Sequence, residues 1–407
     1  MRHRNQWMES RPGLRDVTWI SCALCLVSCT TSYPIEERDA GSPPDGAMLV
    51  DGGTDGSNLP EGKCRLASGL DLLVLVDNSN SMAEEQESLR DALPELIRLL
   101  TEPQDLDGDG HPDWLAVREV NVAVITTDMG TAGYPLPTCR EPEFGDDARF
   151  VGPPPDAPPE CADVPARMLT YRADGEMSPE QFARKVACLT MQGIGGCGFE
   201  QHLEAILKAL TPSSSSIRFF RGTTGHGDGV NADFVRPDSM LGVLVLSDEE
   251  DCSWRDPDLV NPMSPTYAGN LNLRCFHYPH ALHPVSRYVE GLRALRADRP
   301  DLFALAFVTG IPVDLSGDVM RREDADRILD DPRMAETIDP SMPSRLRPSC
   351  SEPGRGIAFP PRRMVELAGH FPGQATVHSI CREDLTETAR AIARLFGRRA
   401  CLEYESR

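Results

Sequence analysis

Four near-continuous apolar runs, separated by stretches of helical spacing, limit what this chain can fold into more than any other feature. Residues 70–76, 120–125, 241–246 and 302–308 are dominated by Leu, Val, Ala, Ile and Phe and carry few polar side chains. Such runs suit strands buried on both faces, which pair in parallel because a helix crosses over between one strand and the next. The intervals supply those helices. Leu89, Leu93, Leu96, Ile97 and Leu100 recur through residues 83–101, and residues 178–190, 199–210, 284–297 and 385–396 continue the pattern. Ser178 followed by Pro179 reads as an N-cap and first helical position. A further short strand is expected near residues 376–380. The predicted fold is α/β, a Rossmann-like open and mostly parallel sheet with helices on both faces. Sheets of this kind place ligands outside the carboxyl ends of their strands.

The first 63 residues lack the pattern. Arg2, Arg4, Arg11 and Arg15 precede an apolar run over residues 17–28, which ends in Leu26-Val27-Ser28-Cys29. The run falls short of the ~20 apolar residues that a spanning helix needs, and residues 1–28 read as a bacterial export signal. Its end resembles a lipobox, which implies cleavage before Cys29 and acylation of that cysteine. Each buried acyl methylene adds about 0.8 kcal/mol of membrane affinity. An ordinary cleaved signal and an uncleaved anchor are the alternatives. Residues 29–63 are rich in Gly, Pro, Asp and Ser, the composition of a flexible tether. The expectation is a lipid-anchored protein of the bacterial envelope, in the outer membrane, whose folded domain spans 64–401.

Of 13 cysteines, Cys22 and Cys25 fall in the signal and Cys29 ends it. The remaining Cys64, Cys139, Cys161, Cys188, Cys197, Cys252, Cys275, Cys350, Cys381 and Cys401 are even in number, which in an exported chain suggests disulfides. Zinc is the weaker alternative, since the spacings are wide and no CxxC pair lies beyond the signal. Spacing does not fix the pairing. Neighbour pairing is the working expectation: Cys139–Cys161, Cys188–Cys197, Cys252–Cys275 and Cys350–Cys381, with Cys64–Cys401 closing the domain. The Pro/Gly/Asp-rich segments 129–177, 211–238 and 310–360 then read as disulfide-tied insertions.

Chemistry enters directly after the first apolar run, in Asp77-Asn78-Ser79-Asn80-Ser81. An Asp and two Ser at alternating positions on a strand-to-helix turn can aim three oxygens at one point, as a hard cation such as Mg²⁺ requires. A capped helix start is the plainer reading. A second acidic turn, Ser247-Asp248-Glu249-Glu250-Asp251, follows the third run. Together the two turns make the chain resemble the von Willebrand factor type A family. Asp77, Ser79 and Ser81 match its Asp-x-Ser-x-Ser signature, and Asp248 matches the aspartate after a later core strand. The resemblance covers residues 68–310 or so. It implies an adhesion site dependent on Mg²⁺ or Mn²⁺, with the serines holding the ion and a partner protein's acidic side chain completing its coordination. The family's threonine before the next helix corresponds here to Cys197. A disulfide-bonded cysteine cannot replace a hydroxyl, so Glu200 or water would have to serve.

Weaker signals surround this one. Asp105, Asp107, Asp109 and Asp113, with Gly110 at the sixth position, resemble a calcium loop, although Ala116 stands where an EF-hand has glutamate. A solvated acidic turn is the alternative. His277, His280 and His283 recur every third residue, but Pro279 breaks any helix that would align them for zinc. No GxSxG, HExxH or phosphate-binding glycine loop occurs in a supporting context. Asp and Glu outnumber Lys and Arg by 63 to 41, a net charge of −22, which repels nucleic acid and attracts divalent cations. The expected function is a non-enzymatic, metal-dependent recognition module. A metal-dependent hydrolase on the same acidic loops and a structural envelope protein with a vestigial metal site are the alternatives.

Overall fold

Seven strands form one sheet in the order β4-β3-β2-β5-β6-β10-β7. The structure is a computed structural model and describes residues 65–402 except 106, 107, 109, 166, 354 and 355. In chain order its elements are β1 (Arg65–Leu66), β2 (Leu70–Val76), α1 (Ala83–Thr101), β3 (Glu119–Thr126), β4 (Leu169–Arg172), α2 (Pro179–Thr190), α3 (His202–Leu210), β5 (Met240–Leu246), α4 (Arg274–His277), α5 (Val285–Leu295), β6 (Phe303–Thr309), β7 (Gly317–Val319), α6 (Arg322–Leu329), β8 (Cys350–Glu352), β9 (Gly356–Ala358), α7 (Arg362–Gly369), β10 (Ala375–Ser379), α8 (Thr386–Ala400) and β11 (Cys401–Leu402). Strands β3, β2, β5, β6 and β10 are mutually parallel. The edge strands β4 and β7 run antiparallel to them.

The apolar runs are continuous because both faces of the sheet are covered. Leu70, Leu72, Val74 and Val76 of β2 pack with residues of α1, α2 and α8. Leu73 and Leu75, pointing the other way, pack with α3, α5 and α7. This alternation is the period-2 geometry of a strand. Helix α2 starts as its sequence indicates: Ser178 accepts from Gln181 N at 3.2 Å and Gln181 Oε1 accepts from Ser178 N at 3.0 Å, a reciprocal capping box. No helix among the described residues is long and apolar enough to cross a membrane.

Two expected disulfides are overturned. Cys139 bonds Cys197 and Cys161 bonds Cys188, in place of Cys139–Cys161 and Cys188–Cys197. Cys188 sits in the last turn of α2, against the short helical turn at Pro159–Cys161, which leaves Cys197 to the loop that follows β3. Cys252–Cys275 and Cys350–Cys381 pair as neighbours. Cys401 is disulfide-bonded. Cys64, like Cys29, the export signal and the tether, lies outside the described residues.

Candidate functional site

Strand β2 leads by way of α1 to β3 on one side, whereas β5 leads to β6 on the other. The chain therefore diverges between β2 and β5, and an open α/β sheet presents its binding crevice at such a point. In register, Val76 stands beside Leu246, so Asp77 and Ser247 leave the sheet together. The two acidic turns are neighbours at the carboxyl ends of their strands.

Asp77 is fully buried and anchors the crevice. Its Oδ1 accepts from Ser79 N at 2.9 Å and from Thr127 Oγ1 at 3.4 Å, and its Oδ2 accepts from Ser247 Oγ at 2.6 Å. Because the Ser247 hydroxyl donates to Asp77, His202 Nε2 donates in turn to Ser247 Oγ, at 2.7 Å. Burial works to raise the Asp77 carboxyl, yet His202, Ser247 and the Ser79 N–H together hold it below the ordinary carboxylate range. The turn itself is stapled from α1. Gln86 Nε2 donates to the carbonyls of Asp77 and Gly193, both at 2.9 Å, while its Oε1 accepts from Gln192 N and Gly193 N. Gly196 packs so closely here that a Cβ would lie 2.2 Å from Asn78 Oδ1.

Asp248 has no such support. It is 1% exposed, and neither of its carboxyl oxygens has a hydrogen-bond partner of ordinary geometry. Burial and then repulsion by Asp77 push its pKa well above the usual range, with the Ser81 hydroxyl acting the other way. Ser81 Oγ lies 3.2 Å from Ser79 Oγ. Glu200 and Glu249 are half-buried residues whose carboxyl groups are nonetheless surrounded by protein. Burial raises Glu200 well above the ordinary range, and Asp77, Asp248 and Asp128 add to the effect. Glu249 is raised in the same way by burial and by Asp248, Glu200 and Asp77. Asp128, held by Gly130 N at 2.9 Å and Cys197 N at 3.2 Å, is raised to about 6, chiefly by burial. Carboxylates are thus gathered at one point with hydroxyls among them and no Lys or Arg bonded to Asp77 or Asp248.

This donor set fits a hard divalent cation. Ser79 and Ser81 offer neutral oxygens, Asp248 offers two unpartnered ones, and repulsion among the acids is what a cation relieves. Among the described residues no group of three or more His, Cys, Asp or Glu side chains is arranged to hold a metal ion. Cys197 contributes no ligand, being bonded to Cys139. Thr127, from the end of β3, stands instead beside Asp77. Sequence reasoning missed Thr127, His202, Gln86 and Asp128.

The other predicted sites are described in part. Asp105 accepts from Gly108 N at 2.6 Å and Gly110 N at 2.7 Å, and Asp113 is engaged by Arg398 at 3.1 Å. Asp107 and Asp109 lie outside the described residues. His277 belongs to α4, and His283 pairs loosely with Glu204 at 3.8 Å.

No family model matches the chain, and no curated protein matches it. Among solved structures, it is similar to proximal thread matrix protein 1 from the mussel byssus, at 10% identity and a TM-score of 0.26, over 61% of this chain and 38% of that one. It is similar also to the human COPII-coat protein Sec24c, at 8% identity and a TM-score of 0.23, over 61% and 27% of the two chains. The chain spans less than half the length of either protein. A likeness this slight assigns neither a family nor an activity.

Proposed function

We propose that the crevice between β2 and β5 holds Mg²⁺ or Mn²⁺ and that the protein recognises a partner protein through that ion, as a von Willebrand factor type A-like module on a lipid anchor. The observation that carries this reading is Asp248: a buried carboxyl, both oxygens unpartnered, repelled by Asp77 and bordered by Ser81. A carboxylate left in that condition costs several kcal/mol unless a proton or a cation meets it, and a cation is what the adjoining serine oxygens favour. Ser79, Ser81 and Asp248 would hold the ion directly, and Asp77 directly or through water, with Glu200 at the rim. The ion would supply an open position that accepts an acidic side chain of the partner. The protein's own contribution is to keep the donors fixed, through Gln86, Ser247 and His202.

Calorimetric titration of the purified full chain with Mg²⁺ and Mn²⁺ tests the proposal. Binding should appear in the parent, and Asp248→Asn should lower its affinity at least about a hundredfold, the effect of losing a charged ligand worth ~3 kcal/mol. Equal affinity in parent and variant defeats the reading and favours a purely structural role. Metal-dependent turnover of a phosphoester or peptide panel would favour a hydrolase on the same loops.

A further inference from the structure

A second cleft, of about 370 Å³, runs along α3 beside Gln201, Glu204 and Lys208. Its size falls within the range of small-molecule sites. Phe144, Phe219, Phe220 and Trp254 wall it. Phe220 meets Phe144 at 5.6 Å and Trp254 at 5.2 Å, both edge to face, so the aromatic surfaces are fixed relative to one another.

The charges of the cleft divide in a telling way. Its carboxylates are taken. Asp147 is held by Lys208 and by His226 at 3.1 Å, and Glu204 by Arg287 Nε at 3.0 Å and Nη2 at 2.9 Å. Two guanidiniums at the mouth are not: Arg218 donates only to the carbonyls of Ser215 and Ile217, and Arg255 is exposed with no ion pair among the described residues. His283, pushed down to about 4 by burial and by Arg287, is neutral at pH 7. The backbone at the lining residues Asp147 and Arg221 has φ of 55° and 56°, a left-handed conformation that L side chains seldom adopt and that folds retain mainly around ligand sites.

We propose that this cleft binds a small aryl carboxylate, its ring against Phe219, Phe220 and Trp254 and its carboxylate answering the guanidiniums of Arg218 and Arg255. The site needs no metal and is independent of the crevice between β2 and β5. Calorimetry on the purified full chain in EDTA, with benzoate as probe and benzyl alcohol as its neutral counterpart, provides the test. Benzoate should bind about tenfold more tightly than benzyl alcohol, and Arg218→Ala/Arg255→Ala, which alters only exposed side chains, should weaken benzoate about tenfold. Absence of benzoate binding, equal binding of the alcohol, or parent-like binding by the double-arginine variant overturns the proposal. So does binding that requires Mg²⁺, because the carboxylate would then be sitting on the ion.

Discussion

Strand β2 carries a buried aspartate at each end, and the two are solved in opposite ways. Asp71, near the amino end, is saturated from within. Arg236 donates to it from its backbone N at 2.9 Å and from its guanidinium at 2.7 and 2.8 Å, Asn121 donates at 3.1 Å, and Ser239 adds a hydroxyl. At the carboxyl end Asp77 has hydroxyls, a backbone N–H and an imidazole around it, and its neighbour Asp248 has no cation at all. The same sheet thus neutralises one carboxylate with its own arginine, whereas no Lys or Arg among the described residues is bonded to the other pair. A buried charge with an internal partner belongs to the fold. One without such a partner, at a strand's carboxyl end, is a candidate for binding.

Several measurements would break or sharpen this contrast. Replacing Arg236 by Leu strands Asp71, and urea unfolding in EDTA should show a loss of about 3–5 kcal/mol. A loss below about 1 kcal/mol would remove the distinction between the two ends. Adding Mg²⁺ at a hundred times its dissociation constant should stabilise the parent by about 2.7 kcal/mol and leave Asp248→Asn unmoved. The next effect concerns Asp128, whose folded pKa of about 6 exceeds the ordinary 3.8. The folded protein therefore holds that proton more tightly than the unfolded chain. The resulting stability is complete below about pH 3.8 and disappears as pH rises through about 6. Between pH 4 and 7 in EDTA, the parent should lose about 2 kcal/mol relative to Asp128→Asn. Parallel pH curves for the two proteins would contradict it. The smallest effect is the sign of Asp248→Asn in EDTA: neutral, or up to about 1 kcal/mol more stable, since repulsion by Asp77 is relieved. A clear destabilisation would make Asp248 a member of the fold after all.

How much of this was legible beforehand depended on whether the deciding contacts were local. Strands β2, β3, β5 and β6 were readable because burial on both faces requires an apolar side chain at nearly every position. Helix α6 was not, because only Ala325 and Ile328 of its eight residues are buried, and the rest read as solvated charge. Four-residue β4 and three-residue β7 are too short to carry a period, and both lie inside segments taken for insertions. Asp77, Ser79, Ser81 and Asp248 stood out because each sits in a compact motif at a strand end. Thr127 and His202 reach Asp77 only through pairings dozens of residues apart, which composition does not record. The cysteines repeat the lesson. Neighbour pairing held where a loop leaves and returns to one place, as between Cys252 and Cys275. It failed where two loops cross, so that Cys139 meets Cys197 across 58 residues.

The short pair β1–β11 gives the domain a polarity. Arg65 lies opposite Leu402, Ala67 N bonds Ala400 O, and Ser68 N bonds Asp238 O, so the ends of the described chain meet where β2 and β5 begin. Asp77 is seven strand residues away, on the order of 20 Å along β2. Both ends of the described chain therefore share one pole of the domain and the acidic crevice occupies the other. A pull on Arg65 and Leu402 loads the β1–β11 pair directly, with the acids on the order of 20 Å away along β2.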